Sequence, residues 1–194
     1  MKKIFLLILF LACLYFKSNA QFNKQWLVSG GFQLDKYNFS SKNLPVSTGS
    51  GTSKYSVTNY AVGVEVGRYF YKNISLSYKL VYQNWDAIPQ KTISILNGIM
   101  VEKLIPIHEN ISLNVGLTPF YEFISDKKNY NKEVSETYNW GSILSLGFSF
   151  IIDNNIVLGT HLFRKFNSFP DQINGFSSLS GYCVTVKYVI KKSN

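Results

Sequence analysis

Beyond its first twenty residues the chain alternates apolar and polar side chains with period two almost to its end. Period two is the signature of a strand, because successive side chains point to opposite faces. In residues 60–67, Tyr60, Val62, Val64 and Val66 share one face, and Ala61, Gly63, Glu65 and Gly67 the other. Ile74, Leu76, Tyr78, Leu80 and Tyr82 oppose Ser75, Ser77, Lys79 and Val81. Ile111, Leu113, Val115, Leu117, Pro119, Tyr121 and Phe123 oppose Ser112, Asn114, Gly116, Thr118, Phe120 and Glu122. The same pattern holds over 140–150 and 181–190. It predicts eight strands, near 23–37, 54–70, 73–86, 91–106, 110–124, 137–152, 155–167 and 175–191. The fourth is the least regular. There Ile93, Ile95, Ile99 and Val101 share a face with Asn97 and Lys103, while Leu96 and Met100 fall on the other. No helical period competes.

The connections alternate as well. Tyr71-Lys72-Asn73, His108-Glu109-Asn110 and Asp153-Asn154-Asn155 are short and polar. Each opens a strand with a related phrase: Asn73-Ile-Ser-Leu, Asn110-Ile-Ser-Leu and Asn155-Ile-Val-Leu. This weak repeat marks successive hairpins. The intervening connections, 38–53, 86–91, 125–136 and 168–174, are longer and rich in Ser, Gly, Asn and Lys. Tight turns at one end and longer loops at the other predict an all-β fold, a transmembrane antiparallel up-and-down barrel of eight strands.

A soluble barrel alternates in the same way, with its apolar face inside. Two features predict the inverted arrangement. The polar faces are rich in small residues, among them Gly31, Gly63, Gly67, Ser75, Ser77, Gly98, Gly116, Ser145, Gly147 and Gly181, which suits a lumen only wide enough for side chains. Aromatics also collect at both strand ends. Trp26, Tyr69, Phe70, Phe148, Phe150 and Tyr188 lie toward the short turns; Tyr60, Tyr82, Trp85, Tyr121, Phe123, Trp140, Phe166 and Phe176 lie toward the long loops. Two girdles around an aliphatic band match the two interfaces of a bilayer. The expected lipid-facing set is Val62, Val64, Val66, Leu76, Leu80, Leu113, Val115, Leu144, Leu146, Val184 and Val186.

The N-terminus agrees with export. Lys2 and Lys3 precede an apolar run, and Ser18-Asn19-Ala20 supplies the small residues of a cleavage site. Residues 1–20 therefore read as a signal peptide and 21–194 as an outer-membrane barrel domain. The apolar run is shorter than the ~20 residues of a spanning helix, and Cys13 fits a lipoprotein signal poorly. Removing Lys2, Lys3 and Lys17 lowers the formal charge from +9 to +6. The remaining cations are scattered, which argues against nucleic-acid binding and suits a basic rim near anionic lipid. Of two cysteines only Cys183 lies beyond the leader, so no disulfide within the chain is expected.

With its Ser-Asn-Ala-Gln cleavage region, the Val62-Gly63-Val64-Glu65-Val66-Gly67 strand and the Asn-Ile-Ser-Leu strand openings, the chain resembles the small outer-membrane β-barrel domain proteins common in Bacteroidetes. The resemblance covers essentially the whole mature chain. It implies an integral outer-membrane barrel inserted by the barrel-assembly machinery, and it implies no activity. Such barrels often end on an aromatic residue; here the last strand passes Tyr188 and continues to Lys191-Lys192-Ser193-Asn194.

The candidate site is a network of charges on the lumen faces: Glu65, Lys79, Glu102, Glu122 and Lys187, with His161 and Lys165 beside them. Charges in a narrow lumen need partners. They can line a gated pore, or pair into a plug that fills the barrel; the plug is the expected arrangement. No nucleophile–base–carboxylate constellation is evident around His108 or His161, so catalysis is not expected. One cysteine and two separated histidines offer no metal-ligand spacing, and no cofactor is expected. Cys183 reads as a small lumen filler. The loop 38–53 has the composition of a solvated surface segment, and its partner is unknown. The expectation is a monomer in outer-membrane lipid with a structural or adhesive role. A narrow pore and a soluble periplasmic ligand-binding barrel are the alternatives.

Overall fold

A computed structural model describes residues 22, 24–40, 54–87, 90–128, 134–152, 155–167 and 176–190. The leader, most of the loop 38–53, the loop 168–174 and the side chains of Trp85 and Phe176 lie outside the described residues. The described chain forms eight strands: β1 (Trp26–Ser40), β2 (Lys54–Tyr71), β3 (Ile74–Ala87), β4 (Gln90–His108), β5 (Ile111–Lys128), β6 (Val134–Ile151), β7 (Ile156–Asn167) and β8 (Phe176–Ile190). Each pairs antiparallel with its sequence neighbour, and β1 pairs with β8 to close the barrel. Closure leaves no unpaired edge, which is what a strand structure in lipid requires.

The predicted strands appear with shifted ends. β5 and β6 run to Lys128 and back from Val134, so the expected loop 125–136 shrinks to 129–133. β4 has 19 residues and β7 only 12, against the ~9–11 needed to span a bilayer. The barrel wall is therefore uneven in height, and lowest at β7.

The short turns show why the Asn phrases repeat. Lys72 and Asn73 have φ of 33° and 64°, the two left-handed positions of a tight hairpin turn. The carbonyls of Asn73, Asn110 and Asn155 accept hydrogen bonds from Leu104 N, Ile151 N and Val189 N at 3.0, 2.9 and 2.7 Å. Each Asn thus ties its turn to a strand beyond its own hairpin. Strand neighbours also approach closely: a Cβ added to Gly147 would sit 1.8 Å from the Thr160 carbonyl oxygen, so that wall tolerates no side chain there.

The apolar face points outward. Val62, Val64, Val66, Leu76, Leu146, Val184 and Val186 are 48–57% exposed. Leu80, Leu113 and Leu144 share that face and are half-buried. Val115 lies there too but is covered, flanked in register by Lys103 and Leu146. The outer girdles contain Trp26, Phe70, Phe148, Phe150 and Tyr188 near the short turns, and Tyr60, Tyr82 and Trp140 near the loops. Tyr69 corrects the sequence expectation: it is fully buried and points inward, stacked on Phe22 at 5.0 Å. Its parity in β2 matches Glu65, not its neighbour Phe70, and alternation decides the face before residue type does.

Candidate functional site

Inward-facing side chains occupy the lumen in four successive levels, ordered by their distance from the short turns. Nearest the turns is an apolar level: Phe22, Leu27, Tyr69, Leu104, Ile151, Val157 and Val189. Phe22 precedes the barrel and is tucked beneath it. Its backbone N donates to Asn73 Oδ1 at 2.7 Å, and its carbonyl accepts from Asn73 N at 3.0 Å.

The second level is charged. Lys187 of β8 donates to Glu102 Oε2 of β4, with both side chains at most 1% exposed. Glu65 accepts from Ser77 Oγ at 2.6 Å. Glu65 and Lys79 face each other directly across β2 and β3. They are not an ion pair within 4.0 Å among the described residues, so adjacency in register did not make them one. Asn114 Nδ2 donates to Ser149 Oγ at 2.7 Å, and His161 Nε2 lies 3.3 Å from Thr185 Oγ1. About 20 Å³ between this level and the next is open to the centre of a water molecule, bordered by Glu65, Lys79, His161 and Lys187 on one side and Phe163 and Cys183 on the other. That is room for one or two waters.

The third level is mainly apolar, with Ala61, Val81, Leu96, Phe120, Ile143, Phe163 and the Cys183 thiol; β1 adds the amide of Gln33, in register with Ala61 and Cys183. Small residues alone therefore do not build the lumen. Glycines in the wall make space into which these larger side chains project; a Cβ on Gly181, for example, would meet the Phe163 ring at 2.7 Å.

The fourth level lies toward the loops and centres on Glu122. Its carboxylate accepts from Lys165 Nζ at 2.5 Å, Ser94 Oγ at 2.5 Å and Asn139 Nδ2 at 3.3 Å. Lys165 Nζ also stands 4.9 Å from the centre of the Phe120 ring, joining this level to the one below.

The five charges singled out in the sequence thus divide. Glu102 and Lys187 meet, Glu65 stands in the same level, Lys79 borders its cavity, and Glu122 lies on the far side of an apolar layer. Sequence reading set Lys165 beside the network without assigning it a partner, and it missed the donors Ser77, Ser94 and Asn139. Inward parity marks all of them, but parity does not say which strands meet at one height. His108 is exposed at a turn and remote from His161 in the wall. Among the described residues no group of three or more His, Cys, Asp or Glu could hold a metal.

No family model matches the chain, and no curated protein matches it in sequence. Solved structures do match its fold. Neisserial surface protein A superposes with a TM-score of 0.64 at 11% identity, over 84% of this chain and 96% of that one. Ail, the attachment invasion locus protein of Yersinia pestis, gives 0.56 at 8% identity, over 87% and 99%. The N-terminal β-barrel domain of Pseudomonas aeruginosa OprF gives 0.52 at 10%, over 84% and 97%. The fold is that of the small outer-membrane β-barrels. The outward aliphatic belt with its two girdles is what a bilayer demands, and fold and belt together make this an integral barrel of the bacterial outer membrane.

Proposed function

We propose that this chain is a structural or surface-interaction barrel of the Bacteroidetes type, made with a cleaved leader, inserted by the barrel-assembly machinery and acting as a monomer. In this reading its lumen is a side-chain plug and it catalyses no reaction. The observation that carries the plug is the layering of the lumen: two mainly apolar levels enclose a charge-paired one, and the cavity beside Glu65 and Lys187 holds only a water or two. An ion moving through would have to shed most of its hydration shell to pass two levels lined mainly by apolar side chains. Ail, named for attachment, supports the surface role by its shared fold.

Planar bilayer recording tests the plug. The reconstituted protein is expected to give no steady conductance, and large stable openings proportional to salt would overturn the reading. A soluble ligand-binding barrel would have its apolar face inside, opposite to the arrangement here. Recovery of the native protein from the periplasm without detergent would restore that alternative.

A further inference from the structure

Three cations gather around one short turn. Arg68 lies on the outer face of β2, in register between Trp26 and Leu76. Its guanidinium carbon is 5.7 Å from the centre of the Trp26 ring, and its Nε donates to the Lys24 carbonyl at 3.4 Å. Lys72, in the turn itself, holds its Nζ 5.2 Å from the centre of the Tyr71 ring. Lys103 shares the outer face of β4 with aliphatic residues, is 2% exposed, and extends to donate to the Lys72 carbonyl at 3.0 Å. This is a lysine on a lipid-facing wall reaching for the membrane edge. Among the described residues none of the three forms an ion pair. Arg68 uses one of its five N–H donors and Lys103 one of its three.

We infer that this cluster docks the phosphate of an anionic phospholipid in the periplasmic leaflet. The planar guanidinium of Arg68 presents paired donors to phosphate oxygens, and the neighbouring lysines add attraction. Trp26 and Tyr71, 54% and 53% exposed, set the depth of the headgroup. Val66 and Leu76, beside Arg68 on the same outer face, offer an apolar bed for an acyl chain. A free phosphate has no use for that bed, so the ligand is the lipid. The inference rests on the outer-membrane reading, which puts the short turns on the periplasmic side.

Trp26 provides the probe. In a variant carrying Trp85→Phe and Trp140→Phe it is the single tryptophan left in the chain. The protein is folded into phosphatidylcholine vesicles containing a minor fraction of either acyl-brominated phosphatidylglycerol or acyl-brominated phosphatidylcholine, and bromine quenches tryptophan on contact. Brominated phosphatidylglycerol is expected to quench as though enriched about fivefold at the site, the attraction of roughly one engaged cation. Adding Arg68→Gln and Lys72→Gln should abolish the excess, whereas Arg164→Gln, an outer-face arginine at the loop end, should leave it. High salt should reduce the excess with the cluster intact, which keeps the test valid should the double variant fold poorly. Equal quenching by the two brominated lipids overturns the inference. So does persistence of the excess in a folded double variant, or its loss to added inorganic phosphate at matched ionic strength. Heat-dependent gel mobility of the same samples separates the two ideas: failure to fold into vesicles counts against the outer-membrane reading, and a folded barrel with equal quenching counts against the lipid site alone.

Discussion

The barrel holds two buried Lys–Glu pairs, and they are not equivalent. Lys187–Glu102 lies between the two apolar levels, with side-chain exposures of 0% and 1%. Lys165–Glu122 lies above the upper apolar level, with exposures of 6% and 1%, and Ser94 and Asn139 share its carboxylate. The inner pair lies between two mainly apolar levels. The outer pair is one part of a hydrogen-bonded cluster at the loop side. The same residue types therefore face different alternatives when a partner is removed. An orphaned Lys187 is left fully buried, whereas an orphaned Glu122 keeps two neutral donors.

Substitutions can break that contrast. The largest effect is expected from Glu102→Ala, which strands the Lys187 ammonium and should destabilise the folded barrel by about 3–5 kcal/mol in reversible urea unfolding in vesicles. Replacing the pair together, with Glu102→Gln and Lys187→Met, should recover most of that loss, because neither member of the pair is left as a charge without its partner. If the double replacement is as damaging as Glu102→Ala, the inner pair does more than satisfy itself.

Next in size is a control on the wall. Val64→Lys puts an ammonium on the lipid face beside Glu65, and should cost ~2–4 kcal/mol if Val64 lies near mid-depth. Gly63→Ala, one residue away but facing inward, should fold normally. A Cβ there meets Leu80 O and Val81 Cγ2 at 3.4 Å, near ordinary contact. Folding yield into vesicles distinguishes them, and equal yields would contradict the assigned orientation.

For the outer pair, Lys165→Ala should cost less than Glu102→Ala, about 1–3 kcal/mol, since Glu122 retains Ser94 and Asn139. Equal losses at the two pairs would erase the distinction between enclosed and loop-side charge. The smallest effect is expected at Tyr69. Its hydroxyl is buried without a hydrogen-bond partner, so Tyr69→Phe should shift stability by less than about 1 kcal/mol, in the stabilising direction. A marked loss in the same urea assay would reveal an unseen partner for that hydroxyl, such as an ordered water.

Much of this architecture is legible in the sequence because a strand has only two faces. Once Val62, Val64 and Val66 are set outward, Glu65 must point inward, and the same reasoning carries Glu102, Glu122 and Lys187 into the lumen. The Asn-Ile-Ser-Leu phrases mark the tight turns, since left-handed conformations and short polar connections are local properties. The residues that meet are another matter. Glu65 and Lys79 are register partners and form no ion pair, while Glu102 finds Lys187 across 85 positions of chain. The height at which inward residues from different strands meet depends on how the strands tilt and stagger when the sheet closes, and no local pattern encodes that. Tyr69 shows the same limit on a smaller scale. Residue type suggested a girdle, whereas strand parity and the returning Phe22 made it part of the floor of the barrel. The alternation of side chains determined that there would be strands with two faces, and the small residues of the polar face and the aromatics at the strand ends determined which face would enter the barrel. Closure of that barrel decided which side chains became partners, because only the closed wall brings distant strands to a common depth.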